Sequence, residues 1–179
     1  MTRSLIIYST HYGFSKKVAE FIETILEKNH QKVDICKAEE VEIHDLFKYQ
    51  HKYIIAPIRY GKYSSNMTHI LNHFSHLFSL KDTSIISIDL ASRKREVNTI
   101  ENNPQLAKIW KRIGWIPSSI FIMPGELNYS KYNWIETKMM QLLMCIMKGP
   151  RSLDTNEIYT DWDKLNTFIE KTILIEKQV

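Results

Sequence analysis

Between residues 8 and 17 the chain reads YSTHYGFSKK. Ser9, Thr10, Tyr12 and Ser15 set four hydroxyls around Gly13, one of only five glycines in the chain. An apolar run, Leu5 to Tyr8, ends at this stretch, and an amphipathic pattern begins after it. A helix that starts here presents unpaired N–H groups and the positive end of its dipole, which suits a phosphate. No lysine lies between Ser9 and Ser15, so the anion would be held mostly by hydrogen bonds. The dinucleotide pattern G-x-G-x-x-G and the triphosphate pattern G-x-x-x-x-G-K-[ST] are both absent. A plain Ser/Thr cap on an ordinary helix explains the stretch equally well at this point.

Two further loops carry chemistry-bearing residues. One is Ala56-Pro57-Ile58-Arg59-Tyr60-Gly61-Lys62-Tyr63, and the other is Asp89-Leu90-Ala91-Ser92-Arg93-Lys94. A glycine between two tyrosines offers a flat aromatic wall with close backbone approach, so Tyr60 and Tyr63 are the candidates to flank a planar ring. Packing at a strand end is the alternative for both. Arg59 and Arg93 are candidate cations for a ligand, because a fixed positive charge stabilises developing anions. Lys62 and Lys94 serve solubility equally well.

These loops need a frame that brings them together. Five short apolar runs recur, at Leu5–Tyr8, Val33–Cys36, Tyr53–Ile58, Ser84–Leu90 and Ser119–Met123. Most read as apolar on both faces, as buried parallel strands do. Helix-spaced stripes alternate with them. Val18, Phe21, Ile22, Ile25 and Leu26 form one; Met67, Ile70, Leu71, Phe74, Leu77 and Phe78 a second; Leu106, Ile109, Trp110 and Ile113 a third. A last helix is expected from Thr160 as N-cap with Asp163 three residues on, carrying Trp162, Leu165, Phe168 and Ile169. Residues 37–52 are polar and ambiguous. The alternation predicts one α/β domain over residues 1–179: a doubly wound five-stranded parallel sheet with helices on both faces. In such sheets ligands bind at the carboxyl ends of the strands, where all three loops fall.

Residues 126–157 exceed what a minimal domain of this kind needs between its last strand and last helix, and long insertions are usually functional. Trp134, Ile135, Met139, Leu142, Leu143, Ile146 and Met147 make a broad apolar surface on a helix, flanked by Lys131, Lys138, Lys148 and Arg151. That composition suits a helix lying at a membrane surface, and methionines suit adaptable binding. The alternative is packing on the core or on a second subunit.

The chain has 179 residues and a formal net charge of +4, a mild excess that fits an anionic ligand or surface and does not argue for nucleic acid. Cys36 and Cys145 make no C-x-x-C and read as buried small hydrophobes in a reducing compartment. No secretory signal is read in residues 1–8, and the longest nearly continuous apolar stretch, Met139 to Met147, is too short to span a membrane. A cytoplasmic chain, or one resting on a membrane, is expected. His69, His73 and His76 have metal-ligand spacing on a helix, but they lie away from its apolar stripe and lack a partner glutamate, so no metal is expected.

The order of elements and the hydroxyl-rich, one-glycine turn resemble the flavodoxin family. A more specific set is Ser9-Thr10-x-x-Gly13-x-Ser15, Ile58-Arg59-Tyr60-Gly61-x-Tyr63, Ala91-x-Arg93-Lys94, Gly125-x-Leu127-x-Tyr129, Tyr132-x-Trp134 and Tyr159-Thr160-Asp161-Trp162. This set is similar to the bacterial menaquinone-dependent protoporphyrinogen oxidases, flavodoxin-like enzymes of haem synthesis, over nearly the whole chain. Tyr12 and Phe14 depart from the pattern, standing where small polar residues are commoner.

The resemblance implies FMN as cofactor, protoporphyrinogen IX as hydrogen donor and a membrane quinone, menaquinone or ubiquinone, as acceptor. It implies an enzyme at the inner face of the cell membrane, held there by the insertion, with a homo-oligomer left open. Ser9, Thr10, His11, Tyr12, Gly13, Phe14 and Ser15 would hold the phosphate. Pro57, Ile58, Arg59, Tyr60, Gly61, Tyr63, Leu90, Ala91, Ser92 and Arg93 would surround the flavin, with Arg59 and Arg93 the candidates closest to catalysis. Tyr129, Tyr132 and Trp134 would meet the substrate or the membrane. A flavodoxin-type electron carrier and a soluble quinone reductase are the alternative readings, as is an adaptor that has lost flavin binding. Such carriers are typically acidic, unlike this chain, and the loop after the fourth strand has no aromatic to cover a flavin's second face.

Overall fold

The structure is a computed structural model, and it describes residues 2–73, 82–94, 97–115 and 119–176. Five parallel strands form the main sheet in the order β2-β1-β3-β4-β5: β1 (Arg3–Tyr8), β2 (Lys32–Lys37), β3 (His51–Pro57), β4 (Thr83–Ile88) and β5 (Ser119–Met123). This order is the flavodoxin-like one, with its switch point between β1 and β3. Helices α1 (Phe14–Lys28), α3 (Ser65–His73), α4 (Pro104–Ile113) and α6 (Trp162–Glu176) make the principal crossovers and cover, and α2 (Ile43–Leu46) is a single turn.

Alternation along each strand builds two cores. In β1, Leu5 and Ile7 face one side of the sheet while Ile6 and Tyr8 face the other; β3 repeats this with Ile54 and Ala56 against Tyr53 and Ile55. The first side packs against α3 and α4 through Met67, Leu71, Leu106 and Trp110. The second packs against α1 and α6 through Val18, Ile22, Leu26, Leu165 and Ile169. β2, at the sheet's edge, is half-buried to exposed along its length.

Local chemistry sets the helix ends. Asn103 caps α4 by accepting from the Leu106 N–H at 3.1 Å, Pro104 fills the first turn, and Gly114 closes it at φ +84°. The expected cap on α6 moves by one residue. Asp161, not Thr160, accepts from the Lys164 N–H at 3.1 Å, while the Thr160 hydroxyl donates to the Pro124 carbonyl at 2.6 Å. A carboxylate suits a helix N-terminus better than a hydroxyl because it also meets the dipole, and Thr160 is left to tie α6 to the end of β5. The ambiguous stretch before β3 contains only a 3₁₀ turn at Ala38–Glu40 and the short α2. Phe74, Leu77 and Phe78 lie outside the described residues.

Residues 126–157 leave and rejoin the domain through a two-stranded antiparallel sheet, β6 (Glu126–Asn128) on β7 (Asn156–Ile158). Between them runs α5 (Trp134–Ile146). The Tyr159 N–H donates to the Gly125 carbonyl at 3.1 Å and closes the base. A Cβ on Gly125 would stand 2.8 Å from Cγ2 of Ile88, a branch that cannot swing aside. Gly125→Ala is therefore expected to destabilise the protein by about 1–3 kcal/mol in urea unfolding; an unchanged midpoint would show that β4 and the insertion's base are looser than described.

Candidate functional site

The Ser9 N–H still pairs with the Ile55 carbonyl at 3.2 Å, so the chain leaves the sheet only at Thr10. Thr10 Oγ1 accepts from the Gly13 N–H at 2.9 Å and closes a tight turn. Gly13 has φ +85°, a conformation costly for any residue with a Cβ, and this redirects the chain straight into α1. No side chain caps α1, and no acidic residue lies in its first turn. Its opening N–H groups and dipole therefore remain available to an anion. Beside them the Ser9 Oγ is buried with no hydrogen-bond partner. Phe14 is buried against Trp162, ring centroids 6.1 Å apart, and pins the turn to the core.

After β3, Arg59 and Lys62 pair in both directions, N–H to carbonyl at 2.9 and 3.1 Å. Tyr60 (φ +50°) and Gly61 (φ +74°) form the two central positions of a type I′ turn. Such a φ at a bulky residue is strained by about 1–2 kcal/mol, and it leaves the Tyr60 ring 60% exposed. After β4, Asp89 organises the next loop. Its Oδ1 accepts from the Ala91 N–H at 3.0 Å, and its Oδ2 from the Asn103 side-chain amide at 2.6 Å. A 3₁₀ turn, Leu90–Arg93, follows.

The insertion roofs these loops. Its own small core is Leu127, Tyr129 and Met144, against which Leu90, Tyr132 and Tyr159 pack. Arg93 donates to the Met147 carbonyl at 2.8 Å and ties down the far end of α5. Met139, Met140, Leu143 and Met147 then close one side of a cavity of about 630 Å³. The opposite walls are Thr10, His11, Tyr12, Phe14 and Ser15, then Pro57 to Gly61, then Asp89 to Ala91.

An ionic contact joins roof to floor. Arg59 Nη2 donates to Glu136 Oε1 and to the Tyr12 hydroxyl oxygen, both at 3.0 Å. The guanidinium carbon lies 4.8 Å from the Tyr12 ring centre and 5.3 Å from that of Tyr60. A hydrogen bond from Tyr12, the N–H at the helix cap and the Arg59 charge together hold the Glu136 carboxyl down at about 2. Burial, and then the neighbouring Glu136, push the Tyr12 phenol well above its usual range. Lys131 pairs with Glu126 at 2.6 Å and reaches the Tyr12 carbonyl at 3.4 Å, a second tie between insertion and loop.

The model of the family described as "Flavodoxin domain" matches residues 5–154. The chain belongs to the flavodoxin-domain family. It is 25% identical over 166 residues to the Escherichia coli K12 protein named protoporphyrinogen IX dehydrogenase [quinone], covering 93% of this chain and 92% of that one. A Leishmania major protein of the same name is 26% identical over 168 residues, covering 93% and 72%. Among solved structures, the oxidised Flavodoxin 1 of Bacillus cereus superposes with a TM-score of 0.56 at 10% identity, over 97% of this chain and 98% of its own.

This flavodoxin domain brings most of the expected site residues together and sets several apart. Thr10, His11, Tyr12, Phe14, Ser15, Pro57, Ile58, Arg59, Tyr60, Gly61, Leu90, Ala91 and Tyr132 line the cavity, with Lys94. Ser9 and Gly13 shape the turn beneath. Tyr63 is not a flank: it is 3% exposed, bonds Ser87 at 3.0 Å and packs edge-on against Trp110, because the I′ turn sends it back into the core. Ser92 is buried and donates to the Asp89 carbonyl at 2.7 Å. Arg93 braces the insertion, and Tyr129 sits in its core, bonded to the Pro150 carbonyl at 3.1 Å. Trp134 is 77% exposed and points away from the cavity. Cys145 is exposed, not buried, since α5 packs through Met144 instead. His69 is exposed, His76 and the His73 side chain lie outside the described residues, and no metal-binding group occurs among the described ones.

Glu136 and Met140 were not foreseen. The pattern Asn133-x-x-Glu136 is a capping box and marks the glutamate as a helix-end residue; nothing in the sequence pairs it with Arg59. The depressed Glu136 carboxyl stabilises the folded state above the ordinary glutamate range near 4.3, and that contribution is lost as pH falls towards about 2. Glu136→Gln, which keeps the cap, is expected to lose less stability than wild type over that interval, followed by thermal unfolding against pH. Parallel curves would contradict the pairing.

Proposed function

We propose that this chain is an FMN-dependent oxidoreductase that oxidises protoporphyrinogen IX and passes the electrons to a quinone. The observation that carries the reading is the union of an uncapped helix N-terminus ringed by hydroxyls with a roofed, largely apolar cavity of about 630 Å³. That volume suits a cofactor-sized ligand. The names of the Escherichia coli and Leishmania major relatives supply the substrate and the acceptor.

The residues present fit the cofactor. The orphaned Ser9 hydroxyl, the Thr10 and Ser15 hydroxyls and the opening N–H groups of α1 match a terminal phosphate. Tyr12 and Tyr132, centroids 5.0 Å apart and tilted by 54°, make one aromatic wall, and the Tyr60–Gly61 turn and Leu90–Ala91 line the rest. FMN, when bound, supplies the two-electron chemistry. The chain's part is to seat it, to exclude water with the methionine face of α5, and to offer cationic Arg59 and Lys94 to anionic groups. A carrier presents its flavin edge to another protein; a roof over the site favours a small substrate held under cover.

The other side of α5 supports contact with a membrane. Trp134, Ile135, Leu142 and Ile146 are exposed together, with Lys138 and Arg151 exposed beside them. No described helix is long and apolar enough to cross a membrane. We read the chain as resting on the inner membrane face, where its quinone, menaquinone or ubiquinone, is dissolved.

The test is spectroscopic. Purified protein should be yellow; anaerobic protoporphyrinogen IX should bleach the flavin band, and a menaquinone analogue should restore it. A flavin inert to the porphyrinogen would move the reading to a carrier or a quinone reductase. Thr10→Ala should weaken FMN by roughly 10-fold, the scale of a hydrogen bond to a charged group, and leave riboflavin, which lacks the phosphate, unchanged. Equal losses for both ligands would remove the phosphate from this turn.

A further inference from the structure

Glu136 is held in two separable ways. Its Oε2 accepts from the Asn133 N–H at 3.1 Å, completing the capping box of α5, while its Oε1 accepts from Arg59 at 3.0 Å. Losing Arg59 would therefore leave Glu136 neither orphaned nor its helix uncapped. Arg59 does not depend on Glu136 alone either, since its guanidinium lies over the Tyr12 and Tyr60 rings and is bonded to the Tyr12 hydroxyl. The pair lies on the cavity wall, with side chains 31% and 19% exposed, so solvent and ligand reach it. A guanidinium has five donors and prefers a two-pronged carboxylate; here it holds one carboxylate oxygen through one nitrogen.

α5 is anchored unequally. At its far end Arg93 holds the Met147 carbonyl, the Gly149 N–H donates to the Met144 carbonyl, and Met144 is fully buried. At its near end Trp134 and Ile135 are exposed; the polar ties of the helix itself run from Glu136 to Arg59, to Tyr12 and, at 3.9 Å, to His11, and just before the helix Lys131 reaches the Tyr12 carbonyl at 3.4 Å.

We propose that Arg59 is the seat for a carboxylate of the substrate, and that Glu136 occupies this seat until the substrate displaces it and loosens the near end of α5. The roof then opens at its N-terminal end and pivots about the Arg93 tie. The idea rests on the functional reading above for the identity of the ligand, a porphyrin carrying propionates. An anion of the cofactor is the other source of the same chemistry.

The experiment uses the FMN-loaded protein and two fluorescent probes, protoporphyrin IX and its dimethyl ester. Glu136→Gln retains the capping box, so the fold is kept. It should bind the diacid roughly two- to five-fold more tightly than wild type, the order expected when a partly exposed ion pair no longer competes, and bind the ester with unchanged affinity. Arg59→Gln should abolish the preference for diacid over ester. Chymotryptic cleavage after Tyr132 or Trp134 should quicken with the diacid and not with the ester. Equal diacid affinity in wild type and Glu136→Gln, or an equal gain for the ester, overturns the exchange while leaving the functional reading intact. No porphyrin binding by any of the three proteins overturns both. If Glu136→Gln instead tightens FMN relative to riboflavin, the anion at Arg59 is the cofactor's phosphate, and the substrate seat is wrong.

Discussion

The carboxyl edge of a parallel sheet is an open crevice, and over its middle the roof meets the floor at one ion pair. Glu136, from the insertion, meets Arg59 from the turn after β3 and Tyr12 from the turn before α1. Three segments far apart in the chain thus converge on one carboxylate. A partly exposed ion pair contributes only about 0.2–1 kcal/mol, so this contact cannot carry the insertion by itself. The Leu127, Tyr129 and Met144 core does that, with the β6–β7 ribbon beneath it. The ion pair sets where the near end of α5 rests. A weak contact on a well-anchored element is what a cover that opens and closes requires.

Below the roof, the geometry follows from two positive-φ turns. Gly13 lets α1 begin immediately beyond the sheet with its N–H groups unspent, and the Tyr60–Gly61 pair reverses the chain after β3. The second turn is strained at Tyr60, and that strain places one tyrosine at the rim and sends the next inward. Asp89 and Asn103 fix the third loop through the cap of α4, so the helix start and the cavity wall share one hydrogen-bond network.

Much of this was legible in the sequence. Strand positions, the stripes of α1 and α4, and the three loops at one sheet edge follow from periodicity and connection rules. What was not legible has a common cause: the direction of a side chain after a turn or on a uniformly apolar helix. Tyr60 and Tyr63 look equivalent around Gly61 until the turn type is known. Arg59 and Arg93 occupy similar loops, yet one faces the cavity and the other braces the insertion. On α5 and its C-terminal cap, Met139, Leu143 and Met147 form one apolar arc and Trp134, Leu142 and Ile146 another. A helix apolar on several faces carries no internal mark of which face meets a ligand and which meets solvent or lipid. The departures at Tyr12 and Phe14 read as irregularities of the phosphate turn, but in the fold they are its ties, to Glu136 and to the core.

On this reading one ligand lies under α5 with its phosphate on the α1 turn. Hydrogen exchange of the protein with and without FMN tests it most directly. Bound FMN should slow exchange at the amides of residues 13–16, at 58–61 and at 90–91, with the edge strand β2 unchanged. Protection confined elsewhere, or no change at residues 13–16 in an FMN-saturated protein, would contradict it.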